Sequence, residues 1–97
     1  MKLYLISQDV VSGYDTYDSA VVAAENEQAA RETHPSPFVT HHKGGKWMGT
    51  FAYSGEEYNQ DFGRDWPRFE EIDKVQVEHL GETERPAGVV LASFNAG

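Results

Sequence analysis

The chain contains no cysteine. A small secreted domain ordinarily uses disulfides to supplement a small core, so their absence points to a reducing compartment. Long apolar runs are also missing, and nothing approaches the ~18–20 residues needed to cross a bilayer. The opening Met1-Lys2-Leu3-Tyr4-Leu5-Ile6-Ser7-Gln8-Asp9 reaches polar and acidic residues too early for a secretory signal and reads as a strand. Basic residues are scarce: eight stand against sixteen acids, for a net charge of −8. That balance argues against direct binding to nucleic acid or to an anionic membrane, both of which need basic surface. The deficit is uneven. Residues 1–33 and 69–97 each carry six acids and two bases, whereas residues 34–68 carry four of each.

Catalytic constellations are equally scarce. No Ser-His-Asp or Cys-His arrangement has a supporting context such as a nucleophile elbow. Gly44-Gly45, flanked by Lys43 and Lys46, matches neither a Walker loop nor a dinucleotide fingerprint. Its backbone N–H groups and lysines suit an anion, but an ordinary hairpin tip with lysines for solubility is the favoured reading. His34, His41, His42 and His79 lack zinc-type spacing, and adjacent histidines on a strand point to opposite faces. The pairs Glu56-Glu57, Glu70-Glu71 and Asp15/Asp18 are what sixteen acids produce by chance. No catalytic residue, metal or cofactor is therefore assigned, and a non-enzymatic protein is expected.

What is present is enough for one folded domain spanning residues 1–97, with twelve aromatic rings to compensate for an apolar content of 39%. Leu3, Leu5 and Ser7 alternate with Tyr4, Ile6 and Gln8, which is a strand pattern. Tyr14 to Ala24 reads as a second strand, paired with the first as a hairpin. Asn26 is a suitable N-cap for a helix running towards Thr33 or His34 and stopped by Pro35. Phe38–Lys43 and Lys46–Tyr53 flank Gly44-Gly45 as a hairpin, with His42 opposite Trp47 and Lys43 opposite Lys46. Residues 54–64 read as a loop, and Asp65-Trp66-Pro67 as the start of a helical turn through Glu71, capped by Asp65. Val75–Leu80 alternates and ends at Gly81. Gly88–Gly97 is an apolar strand whose Val-Val-Leu run suggests a central position buried on both faces. The expected fold class is α+β: an antiparallel sheet of four core strands packed on one short helix as a two-layer sandwich, in the order ββ-α-hairpin insert-ββ. The insert spans about 36–68.

The two ends of the chain carry a resemblance. Lys2–Gln8 with Gly13-Tyr14-Asp15-Thr16-Tyr17-Asp18-Ser19-Ala20-Val21-Val22-Ala23-Ala24-Glu25, and Gly88-Val89-Val90-Leu91-Ala92-Ser93-Phe94-Asn95-Ala96-Gly97, resemble a family of short bacteriophage, prophage and bacterial-metagenome proteins with no assigned activity. The resemblance covers residues 1–35 and about 75–97. It implies a phage-linked origin and the cytoplasm of a bacterial host. It implies no mechanism; by analogy with small phage accessory proteins as a class, action by binding is expected, such as inhibition of a bacterial host or anti-phage defence protein.

Two binding surfaces follow from the residues. The first is the polar end of the second strand. Alternation sets Tyr14, Thr16 and Asp18 on one face and Asp15, Tyr17 and Ser19 on the other, with Ser93 and Asn95 joining if the last strand lies beside them. Tyr14, Asp15, Tyr17, Asp18, Ser93 and Asn95 would then line a pocket for a small ligand, as in a sponge for a signalling nucleotide. The ordinary alternative is a strand start whose Asp and Ser satisfy turn groups while the tyrosines cap the core. The second surface is the aromatic-rich middle: Phe38, Trp47, Phe51, Tyr53, Tyr58, Phe62, Trp66 and Phe69, with Arg64 and Arg68 beside Trp66. Trp, Tyr and Arg dominate protein interfaces, so Trp47, Arg64 and Trp66 are the candidate anchors for a protein partner; some of these rings must instead fill the core under the insert. A bacterial protein partner is the leading expectation and a nucleotide ligand the second. A structural or accessory phage role is the third. Exposed sheet edges also suit a homodimer.

Overall fold

The computed structural model describes residues 1–96; Gly97 lies outside the described residues. Seven strands form two antiparallel sheets. β1 (Lys2–Ser7), β2 (Thr16–Ala24), β6 (Gln76–Glu82) and β7 (Gly88–Asn95) make a four-stranded sheet in the order β6-β1-β2-β7. β3 (His41–Lys43), β4 (Lys46–Thr50) and β5 (Glu57–Asn59) make a three-stranded sheet in sequence order. One α-helix, α1 (Glu27–Arg31), and one 3-10 helix, Phe69–Lys74, complete the described elements. The expected α+β class, with four strands in one sheet, is what the chain adopts. No helix among the described residues is long and apolar enough to cross a membrane.

The alternation in β1 explains the layering. Tyr4 and Ile6 are buried, whereas Leu3, Leu5 and Ser7 on the opposite face are half-exposed. β2 continues this inner face with Ala20, Val22 and Ala24. Pairing sets Ile6 opposite Ala20 and Tyr4 opposite Val22, so large side chains lie beside small ones. Ala30 of α1 closes on this face, as do Trp47 of β4, Trp66 and Val75. The insert is therefore the second layer of the same core and does not project from it. Burying Ile6 and Val22 completely contributes roughly 1.5–3 kcal/mol each by loss of apolar surface to water.

Helix α1 is shorter than expected. Asn26 caps it as predicted, its Oδ1 accepting the Ala29 N–H at 2.8 Å. The end comes at Arg31, where the Thr33 hydroxyl donates to the Ala29 carbonyl at 2.9 Å and satisfies it outside the helix.

Four other readings need correction. The last strand is an edge strand and not a central one: β7 pairs only with β2, and Leu91 is 68% exposed. The last two strands do not pair with each other; β6 and β7 bracket the first hairpin from opposite sides. The segment read as a loop contains β5, because Glu57–Asn59 adds to β4. The helical turn begins at Phe69 after an extended Arg68, so Asp65 caps nothing. Its Trp66-Pro67 step is buried core. In addition, β6 continues past Gly81 to Glu82, accommodating a bulge opposite Leu3/Tyr4. The Gly-Gly hairpin has the expected register, with His42 opposite Trp47 and Lys43 opposite Lys46. Both glycines have positive φ, as a two-residue turn of this kind requires.

Candidate functional site

The polar end of β2 does meet the end of β7. Thr16 pairs with Asn95, Tyr17 with Phe94 and Ser19 with Ser93. Tyr14 and Asp15 precede the strand, and a register shift between Tyr17 and Ser19 breaks the expected alternation at Asp18. The hydrogen bonds here close a junction. Thr16 Oγ1 donates to the Gly13 carbonyl at 2.7 Å, and Asn95 Nδ2 donates to the same carbonyl at 2.8 Å. Asp15, with φ of 60°, gives its N–H to the Asn95 carbonyl. The Tyr17 N–H donates to the Asp65 carbonyl at 2.9 Å, which ties the strand to the insert. The Tyr17 ring packs on Phe94 at 4.7 Å and against the core. Tyr14, Asp15, Asp18 and Ser93 remain exposed.

Sequence reasoning missed Gln8. Its side chain accepts the Val11 N–H at 2.9 Å and donates to the carbonyls of Val11 and Tyr17 at 2.9 and 2.8 Å. It thereby holds the connection between β1 and β2. A lone glutamine after a strand carries no signal of this.

A cleft lies elsewhere, where the insert meets the start of β7. It measures about 500 Å³, and its walls include His34, Ser36, Val39, Trp47 and Val89. None of Tyr14, Asp15, Tyr17, Asp18, Ser93 or Asn95 lines it. His34 and Ser36 are its buried polar residues. Its Nδ1 accepts the Ser36 N–H at 3.0 Å, which leaves the proton on Nε2, 3.7 Å from Asp65. Burial holds the His34 pKa down to about 3, so the ring is neutral despite that carboxylate. Burial also raises the pKa of Asp65.

The candidate anchors of the insert divide into two groups. Trp47 and Trp66 are 1% exposed and belong to the core, so neither offers a surface to a partner. Trp47 meets His34 and Phe69 edge-on at 5.1 and 5.0 Å and donates its Nε1–H to the Pro67 carbonyl at 3.0 Å. Arg64 is exposed and lies over the Phe62 ring at 5.6 Å.

The rings that face solvent are others: Phe38 at 67%, Phe51 at 53%, Tyr53 at 106% and Phe62 at 49% exposure. Phe51 lies beside Tyr58, with ring centroids 4.5 Å apart, and the Tyr58 hydroxyl donates to the Phe38 carbonyl at 3.5 Å. Gly49 makes this arrangement fit. It pairs with Tyr58, and a Cβ there would lie 2.5 Å from both the Phe38 carbonyl oxygen and Tyr58 Cζ.

No family model, curated protein or solved structure matches this chain.

Some ionic groups of the insert have local partners. Glu57 accepts from Lys43 Nζ at 3.1 Å and His41 Nε2 at 3.0 Å, and these bonds lower its pKa. His42 stacks on Phe69 at 4.4 Å and lies 3.5 Å from Glu32. His79 sits beside Tyr4 on the other sheet. Among the described residues, no group of three or more His, Cys, Asp or Glu side chains is placed to hold a metal ion.

Proposed function

We propose that the chain is a non-enzymatic protein-binding module of phage or prophage origin that engages a bacterial host or defence protein. Its contact surface is the aromatic patch Phe38, Phe51, Tyr53 and Tyr58. One observation carries this reading. The fold buries Trp47, Trp66 and most of Phe69, yet leaves four large rings of the insert, Phe38, Phe51, Tyr53 and Phe62, in water. Several exposed aromatic side chains on one segment mark an interaction surface, because they bring large apolar area at small cost in side-chain entropy. The neutral balance of residues 34–68 within a chain of net charge −8 supports the choice of surface. There a partner meets less repulsion than at the acidic ends.

Affinity capture from bacterial lysate tests it, with the wild-type chain and the F51A/Y53A variant as paired baits. A stoichiometric partner held by the first and lost by the second is expected. Equal recovery on both baits, or none on either, counts against the reading.

The cleft beside His34 favours a second reading, that of a small-ligand binder. Its volume of about 500 Å³ lies within the range of ligand sites. Glu32 on its wall and the overall acidity disfavour a phosphate, which calls for arginine or lysine. A thermal-shift screen across nucleotides and neutral metabolites separates the two readings, since a bound ligand raises the melting temperature.

A further inference from the structure

We infer that a cavity between the Gly44-Gly45 hairpin and the start of the 3-10 helix binds a small zwitterion of the α-amino-acid class. The cavity measures about 450 Å³, within the range of ligand sites. Its walls include Lys46, Asn59, Asp61, Phe62, Arg68 and Glu70. It shares no residue with the cleft beside His34.

Asp61 builds the site. Its Oδ1 accepts two backbone N–H groups, from Trp47 at 3.3 Å and from Phe69 at 2.7 Å. These two residues directly follow Lys46 and Arg68 in the chain. One carboxylate therefore fixes two cations, distant in sequence, on the wall of one cavity. The turn at Gly63 makes room for the second of them. A Cβ there would lie 3.0 Å from Arg68 Cγ and 3.2 Å from its Nε. Asn59 Oδ1 accepts the Asp61 N–H at 2.8 Å, which leaves the Asn59 amide nitrogen free to donate.

The charges around this cavity do not pair with one another. Among the described residues, none of Lys46, Arg68 and Glu70 forms a salt bridge. Other exposed lysines do find carboxylates nearby: Lys43 takes Glu57, and Lys74 takes Glu71. Two cations and a carboxylate thus line one space without meeting across it.

Charge complementarity selects the ligand. A simple anion suits Lys46 and Arg68 but meets Glu70 and a chain of net charge −8. A simple cation suits Glu70 but meets Lys46 and Arg68. A zwitterion suits both signs. Its carboxylate takes charge-assisted hydrogen bonds from Lys46, Arg68 and the Asn59 amide, and its ammonium donates to Glu70. Neutral as a whole, it is not repelled by the acidic ends of the chain. The half-exposed Phe62 ring supplies an apolar wall for the ligand's side chain.

NMR titration of the full chain with the common L-α-amino acids tests this. At least one of them, at millimolar concentration, is expected to shift the amide signals of residues 45–46, 59–62 and 68–70 saturably. Its N-acetylated form and its carboxamide each lack one charge. Both are expected to bind at least about tenfold more weakly, the loss of one charge-assisted contact. K46Q, R68Q and E70Q should each weaken binding similarly while keeping wild-type signal dispersion. E71Q, whose carboxylate pairs with Lys74 outside the cavity, should leave binding unchanged. Three outcomes overturn the proposal: saturable shifts with none of the amino acids, shifts confined to the cleft beside His34, or binding that survives all three cavity variants. Equal binding of the N-acetylated form, or tighter binding by E70Q, also overturns it, since either marks a plain anion site.

Discussion

Asn95 Nδ2 and Thr16 Oγ1 converge on one acceptor, the carbonyl of Gly13, at 2.8 and 2.7 Å. This joins the end of the last strand to the turn that opens the second, across 82 residues of sequence. Asn95→Ala removes one of the two donors and leaves the other. The expected cost is about 0.5–1.5 kcal/mol, the net worth of one hydrogen bond with its acceptor still satisfied. Thr16→Val is expected to cost more, because Thr16 is 2% exposed and a valine there cannot donate. Urea unfolding of the two variants checks the order, and faster amide exchange at residues 13–17 checks the place.

The two buried tryptophans should respond differently to the same change. Trp47 Nε1 donates to the Pro67 carbonyl, whereas Trp66 Nε1 is buried with no hydrogen-bond partner. Trp→Phe removes similar volume at both sites. At Trp47 it also strands a carbonyl, which adds about 1–3 kcal/mol; at Trp66 it removes an unsatisfied donor and recovers part of the packing loss. Chemical denaturation is expected to find W47F clearly less stable than W66F. Equal losses would show that volume alone decides.

Gly49 is required by its neighbours and not by its own backbone, since its φ is not positive. An added methyl meets Tyr58 and the backbone oxygen of Phe38 at 2.5 Å, and the backbone oxygen cannot swing aside as a side-chain tip can. Gly49→Ala is expected to destabilise by about 1–3 kcal/mol through overpacking. Combining it with Tyr58→Ala relieves one of the two clashes. The double variant should therefore be less destabilised than the sum of the single changes, as a double-mutant cycle measures.

His34 sets an acid limit on stability. In the folded chain burial holds its pKa down to about 3. In the unfolded chain it titrates near its ordinary value of about 6.5. Between these values the unfolded state binds more protons, so stability rises with pH and is lost as pH falls from about 6.5 towards 3. Asp65 acts in the opposite sense. Burial raises its folded pKa, so its contribution is present at low pH and is lost as pH rises through that folded value. His34→Gln is expected to flatten the fall in stability below about pH 6.5, by an amount on the order of a few kcal/mol across the window. Unfolding curves at several pH values check this, and an unchanged slope would mean that other groups carry the acid response.

How much of this was legible follows from where the constraints act. The Gly44-Gly45 hairpin and its register could be read because a two-residue turn fixes both strands at once. The alternation of Leu3, Tyr4, Leu5 and Ile6 likewise revealed β1, since one face is buried. β5 was hidden because Glu57-Tyr58-Asn59 is too short to show a period, and its pairing depends on the room that Gly49 leaves for Tyr58. The apolar run in β7 was misleading. Valine and leucine suit an edge as well as a centre when the charge that ordinarily guards an edge is absent. In the candidate site, composition announced an aromatic surface but could not sort its rings. Trp47 went inside through contacts with His34, Phe69 and Pro67, and Trp66 through His34, partners distant enough in sequence to leave no local pattern.

The central claim is that the exposed rings of the insert bind and its buried rings hold the fold. Parallel measurement of melting temperature and partner capture for F38S/Y53S tests it most directly. These residues are 67% and 106% exposed, so the account predicts a melting temperature within a degree or two of wild type together with loss of the captured partner. Capture that survives the double change, or a fall in melting temperature large enough to explain its loss, would contradict it.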